Sequence, residues 1–322
     1  MGKKRKPECE TAETAENLNR RSWKVILKKN WPFLVMMIIP TVYFLIFCYW
    51  PMFGISMAFQ NYKIGTPFLG GNTDWVGLRW FRQLLKSSMF PRLLRNTLVL
   101  NIEELLVAFP LSVLFALFLN EVRSKGLRKF TANVSLLPWF ISIVVIVAIM
   151  NNFFSLDDGI INNMIEELGG DRQMIIGNPK WFRALYIGSG IWQSCGYGAV
   201  IYTAAIAGID PTLYEAAAID GSTRLKNIFA ITIPCIMPTI LICLILRFGS
   251  MMASGTGKIL LMYRAVTYET ADVFGTYAYR AAFSDGRMSY SAAIDLFTSV
   301  VNLLLILVAN WGSKKVSETS LF

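Results

Sequence analysis

Six stretches of this chain are too apolar and too long to remain in water, and no other feature limits its fold as much. They run about Phe33 to Phe59, Leu98 to Leu119, Val134 to Met150, Leu185 to Ile206, Ile236 to Met252 and Ala292 to Trp311. About twenty apolar residues in helical form cross the hydrocarbon core of a bilayer. Within lipid, each backbone N–H and C=O must find its partner inside the segment, so such runs read as helices. The expected fold is therefore all-α: a polytopic membrane protein with six transmembrane helices. Composition agrees, since 54% of the 322 residues are hydrophobic, only 16% are charged and the mean hydropathy is +0.47. Trp31 and Trp50 can anchor the first span at the interfaces. Pro40, Pro110 and Pro138 fall where packed neighbours tolerate a kink.

An even number of crossings puts both ends on one side, and charge chooses that side. Residues 1–30 carry nine Lys and Arg, and the short loop Asn120–Phe130 carries four more. Cytoplasmic loops are enriched in these residues, so both termini are expected in the cytoplasm of a multi-pass cell-membrane protein. The basic tail serves topology beside the lipid bilayer, and no nucleic-acid partner is expected. The polar region is too long for a signal peptide, and no small-residue cleavage site follows its apolar run. The chain divides into a basic tail (1–30), a helical membrane domain (31–312) and a short cytoplasmic tail (313–322).

Several chemistries are absent from the sequence. Without a single histidine, His-based catalysis, metal sites and proton relays are all excluded. Cys9, Cys48, Cys195, Cys235 and Cys243 lack metal-ligand spacing and read as small fillers. Gly257-Lys258 resembles the end of a phosphate-binding loop, but Met252 replaces the first Gly and Ile259 the Ser/Thr. Gly188-Ser189-Gly190 has Gln193 in place of the third Gly. No cofactor, metal or catalytic residue is expected of this chain. The adjacent carboxylates Glu103 and Glu104 would point about 100° apart on a helix, which does not suit an acid/base pair.

Charged groups inside spans are costly and should face a bundle interior, a water-filled cavity or a partner subunit. Glu103, Glu104, Gln193, Arg247 and Asp295 are thus candidates for the wall of a polar path, with Asn101 and Asn302 in the same class. Interhelical hydrogen bonding is the better account of Gln193 and Asn302 taken alone.

Between the fourth and fifth spans lies a polar segment of about 208–236. Asp210-Pro211 is a strong helix start, and Ala216, Ala217 and Ala218 continue it. Gly221 stops the helix, Ser222 can cap a second short helix, and Pro234 ends that one. The result is helix, sharp turn, helix at a membrane surface, with one carboxylate, Glu215, beside small Ala side chains that would let another protein approach closely. Either an amphipathic linker or a docking element fits this pattern.

Glu215-Ala216-Ala217, Asp220-Gly221 and Ile231 to Pro234 with Pro238 closely resemble the EAA loop of type I ABC-importer permeases. Tyr49 to Tyr62, Trp75-Val76-Gly77-Leu78 through Phe81, and Arg95-Asn96-Thr97-Leu98 extend the likeness. So do Tyr268 to Val273, Thr276-Tyr277 with Tyr279-Arg280, and Ser289 to Ala293. Together they resemble the subgroup that imports oligosaccharides such as aldouronates. The resemblance implies a six-helix permease domain that pairs with a second, homologous permease to enclose one path. It also implies two copies of a cytoplasmic ABC ATPase, which would bind the ATP, an extracytoplasmic solute-binding protein and an oligosaccharide substrate. Glu215, Ala216, Ala217, Asp220, Gly221 and Pro234 would form the coupling element that inserts into an ATPase groove. Departures from the subgroup's pattern at Gly255-Thr256-Gly257-Lys258, Arg264 and Asp295 fall on the external or path side and bear on which solute is carried. A stand-alone ion-coupled secondary transporter is the alternative, but it calls for internal inverted repeats, and none is convincing here.

Overall fold

The computed structural model describes residues 23–63, 65–66, 74–252 and 255–317. Among these there is no β-strand, only an isolated antiparallel bridge between Gln60 and Trp75. The chain divides into two units, residues 1–56 and 57–322. The first is dominated by helix α1 (Trp23–Phe44), which contains Pro32 and Pro40. It continues through a π-helical turn at Leu45–Tyr49, a step that absorbs irregular hydrogen bonding without breaking the rod. Met36, Ile39 and Phe47 are exposed, as suits a helix whose surroundings are lipid or protein rather than water.

In the second unit the helices follow in order: α2 (Arg79–Lys86), α3 (Phe90–Glu121), α4 (Lys125–Leu136), α5 (Ile143–Phe153), α6 (Ile160–Glu167) and α7 (Pro179–Ala207). After them come α8 (Pro211–Ile219), α9 (Arg224–Asn227), α10 (Ile233–Gly249), α11 (Thr256–Met262), α12 (Tyr268–Ala271), α13 (Phe274–Phe283) and α14 (Met288–Ser317).

Four described helices are long and apolar enough to cross a membrane: Lys29–Phe59, Phe90–Glu121, Arg224–Gly249 and Met288–Lys314. The third expected span, Val134 to Met150, is not a straight helix. Lys125–Phe140 and Ile143–Phe153 meet at a 96° bend. Pro138 has no N–H to give, the chain tightens to a 3₁₀ turn at Leu137–Phe140, and Ser142 restarts the helix by accepting from the Val145 N–H at 3.4 Å. Helix α7, at the fourth expected span, has 29 residues and so runs roughly 43 Å. Gln193 and its Ser and Gly neighbours keep it short of the apolarity of the other four.

Helix α3 packs along α7, and α14 against both α10 and α13. The α4–α7 approach depends on Gly196, where any Cβ would collide with the Ser135 carbonyl. Ala116, Ala199, Tyr202 and Ile236 form one buried cluster; Leu93, Phe274, Tyr290 and Ile294 belong to another. Buried polar side chains hold the outer segments to the bundle. Asn96 Nδ2 donates to the carbonyls of Glu269 and Asp272 at 2.9 and 3.1 Å, and Thr97 Oγ1 accepts from the Phe274 N–H. The Asp272 carboxylate is fully buried and accepts from both Arg280 terminal nitrogens, at 2.9 and 2.6 Å, and from Thr276 Oγ1 at 2.8 Å. Arg280 also lies 4.4 Å from the ring centre of Tyr268. Asn302 Oδ1 of α14 accepts at 2.8 Å from the N–H of Met252, which lies in the turn after α10, so it bonds a connecting segment rather than a second helix.

Candidate functional site

Two features of the second unit invite a functional reading: an exposed elbow and a charged cavity. The elbow begins where Asp210 Oδ1 accepts from the Thr212 N–H at 2.9 Å and Pro211 opens α8. The same bond holds the Asp210 carboxyl below its ordinary value, because it favours the charged form. At the far end Gly221 takes φ +71°; its N–H bonds the Ala218 carbonyl at 3.1 Å, and the Ser222 N–H bonds that of Ala217 at 2.9 Å. This pair of bonds is the left-handed closure that satisfies a helix's last carbonyls. The second cap differs from the sequence expectation. Thr223, not Ser222, accepts from the Lys226 N–H, at 3.4 Å.

Pro234 does not end the second helix either. Residues Ile228–Thr232 form a π-helical turn that runs directly into α10; the Ile233 N–H closes that turn on the Ile228 carbonyl, and the widened turn accommodates Pro234, which has no N–H to give. Tyr214 and Thr232 hydroxyls lie 2.9 Å apart, tying α8 to this turn, and Arg224 reaches Glu121 of α3 at 3.7 Å. Glu215, Ala216, Asp220, Gly221 and Pro234 are exposed, with Ala217 half-buried. Around them Ile219 is 88% exposed, and Leu225 and Phe229 are each 70% exposed. A braced elbow that exposes an acidic group and three large apolar side chains is suited to docking.

The cavity has a volume of about 540 Å³ and opens among α3, α7, α10, α11 and the α4–α5 bend. Glu104, Gln193 and Arg247 line it, together with Ser112, Trp139, Tyr186, Tyr197 and Lys258. Glu104 and Arg247 form an ion pair at 2.5 Å. Gln193 Nε2 donates to the Ile141 carbonyl at 3.2 Å, so it also satisfies the backbone left open by the bend. Trp139 and Tyr197 stack with ring centres 4.2 Å apart and planes 3° apart.

Glu103 and Asp295 do not line this cavity. Glu103 pairs with Arg183 at 3.5 Å, pointing away from its neighbour as adjacent helical residues must. Asp295 borders a separate hollow of about 300 Å³ with Thr256, Tyr279 and Thr298. Of the aromatic residues elsewhere in this unit, Trp75 and Tyr279 are exposed, whereas Trp80 Nε1 donates to the Gln60 carbonyl and Tyr263, Tyr268 and Tyr277 surround Arg280. Sequence reasoning overlooked Tyr186 and the Trp139–Tyr197 stack. Lys258 stood out in the sequence only within a failed phosphate-loop pattern and a departure from the subgroup's pattern, not as a partner of Glu104 and Arg247 in one cavity. The aromatic pair lies 58 residues apart in the chain, beyond any local signal.

The family model described as "Binding-protein-dependent transport system inner membrane component" matches residues 108–318. The YteP permease protein of a polygalacturonan/rhamnogalacturonan transport system in Bacillus subtilis strain 168 is 40% identical over 309 residues, covering 95% of this chain and 94% of that protein. Protein LplB of the same organism is 39% identical over 303 residues, covering 94% of each. A solved bacterial alginate ABC transporter, in complex with an alginate pentasaccharide-bound periplasmic protein, contains a chain of TM-score 0.84 and 40% identity. That match covers 94% of this chain and 100% of the solved one.

Proposed function

The chain belongs to the family of binding-protein-dependent transport system inner membrane components, and from that membership we infer that it is the permease subunit of an ATP-driven ABC importer of oligosaccharides. The family is one of transport permeases rather than enzymes. A second permease and ATPase subunits complete such an importer, and a solute-binding protein delivers the sugar from outside. The polygalacturonan/rhamnogalacturonan and the alginate in the names of two relatives support a sugar polymer fragment as the solute. The protein is an inner-membrane component with several apolar helices. Both termini then lie in the cytoplasm, in keeping with the basic tail. The chain catalyses nothing and holds no cofactor of its own; its partners bind the ATP.

The coupling part of this reading is carried by one observation: the elbow and the cavity share a helix. Tyr214 ties α8 to Thr232, and from Thr232 the same rod reaches Arg247 in the cavity wall. Fifteen residues of helix separate the two, about 22 Å. When ATP draws the ATPases together, an elbow seated in one of them moves as a rigid piece. Helix α10 passes that movement to the Glu104–Arg247 pair, and the cavity changes the side to which it opens. Glu215 supplies a charge-assisted contact to a basic group in the ATPase groove, and the bare Ile219, Leu225 and Phe229 supply apolar area.

Mild-detergent capture of the tagged chain, followed by mass spectrometry, tests this. An ATPase and a second permease should co-purify, and sugar with its binding protein should stimulate ATP hydrolysis. A chain that purifies alone and still transports into vesicles without ATP would replace the reading with a secondary transporter.

A further inference from the structure

Two cationic side chains and one carboxylate meet in a cavity otherwise walled largely by aromatic and small residues. Arg247 is paired with Glu104, and about a third of its side chain is left open to the cavity. Lys258 comes from a different element, α11, and is only 5% exposed. Its Nζ donates to the Tyr186 carbonyl at 2.7 Å and sits 4.7 Å from the Tyr186 ring centre. Space for the ammonium is provided at two glycines. A Cβ at Gly190 would stand 3.4 Å from Nζ, and one at Gly255, where φ is +82°, would collide with the Tyr186 hydroxyl that borders the same space.

The charges here do not balance. Lys258, Arg247 and Glu104 sum to one net positive charge in a low-dielectric wall, and a peptide carbonyl supplies only a partial negative charge to a buried ammonium. Burying an ammonium without a counter-charge of its own is expensive, and a charged group of this kind in a cavity is a candidate ligand site. The flat Trp139–Tyr197 stack on the same wall offers an apolar face of the kind a pyranose ring covers.

We propose that Lys258 and Arg247 form a carboxylate subsite that receives a uronate group of an anionic oligosaccharide, with Glu104 as the internal counter-ion that the sugar displaces from Arg247. This rests on the oligosaccharide reading above and names the substrate class within it. In the empty cavity Glu104 occupies Arg247. A passing uronate brings the missing negative charge to Lys258 and competes with Glu104, so the sugar is held by two cations yet can be expelled when Glu104 returns. A neutral sugar brings no charge to Lys258 and cannot displace Glu104. Selection therefore comes from what the site refuses as well as from what it holds.

The test uses the whole importer, with its binding protein and ATPases, in proteoliposomes containing ATP. Two probe pairs are imported in competition: oligogalacturonate of three to five units against its methyl ester, and an alginate oligosaccharide of similar length against its methyl ester. The binding protein is the same throughout, so any change in the acid-to-ester ratio between variants belongs to the permease. Lys258→Gln should lower the ratio about tenfold, the scale of one lost charge-assisted hydrogen bond. Glu104→Gln should raise it, a change of opposite sign that general damage to the fold would not produce. A ratio moved by neither substitution, with import intact, overturns the subsite and leaves oligosaccharide transport standing. An assembled wild-type importer that takes up neutral galacto- or arabino-oligosaccharides but none of the four probes overturns this proposal alone, and one that takes up no oligosaccharide at all overturns the reading it rests on.

Discussion

Replacing Gly221 with alanine isolates one physical quantity at the elbow. The residue holds φ +71°, and a Cβ built there meets nothing within 4 Å. No steric clash is therefore involved, and the whole cost is that of forcing an L-residue into the left-handed region, roughly 1–2 kcal/mol. If the elbow docks on the ATPase only in this conformation, that energy weakens retention of the ATPase by about 5- to 30-fold. Gly221→Asn should recover part of the loss, because its short polar side chain tolerates left-handed angles better than alanine does. The assay is titration of purified ATPase onto the nanodisc-embedded chain and its partner permease, with sugar-stimulated ATP hydrolysis read in parallel. Equal affinities for the glycine, asparagine and alanine forms would refute the link between this turn and docking. So would an asparagine form weaker than the alanine form, since no contact of the side chain stands in the way.

Two further outcomes follow from other sites. Asp272→Ala leaves the Arg280 guanidinium in a mostly buried setting without its carboxylate, which should cost about 3–5 kcal/mol; thermal unfolding should show a large fall that Asp272→Leu combined with Arg280→Met largely repairs. The capped start of α8 should loosen in acid: the Asp210 carboxyl is held below its ordinary 3.8, so its stabilising effect is full above that value and is lost as pH falls through the lower folded one. Hydrogen exchange at Leu213 and Tyr214 should accelerate across that window, and Asp210→Asn should remove the pH dependence.

Much of the elbow was legible in sequence because its determinants are local. Asp210-Pro211 and Gly221 fix a helix start and stop through bonds to residues two to five positions away. The errors there are also local. Ser222 still belongs to the closing turn of α8, so the second helix starts one residue later with Thr223 as its cap, and Pro234 proved harmless because a π turn precedes it. The bend at Pro138 and Ser142 could be suspected from the proline alone, but its 96° depends on what packs around it.

What could be read from the sequence alone is the class of molecule: apolar runs that must become helices in lipid, and an elbow written in consecutive residues. Hydrophobic length, backbone satisfaction and helix capping all act over a few residues, so they survive without coordinates. Only the tertiary structure decided which intramembrane charges share a cavity. Glu104 found Arg247 across 143 positions while its neighbour Glu103 turned to Arg183, and Lys258 came to rest beneath Tyr186 at 72 positions' distance. Those meetings are set by helix rotation and by glycines that let backbones close, and neither is encoded in a window of sequence short enough to read.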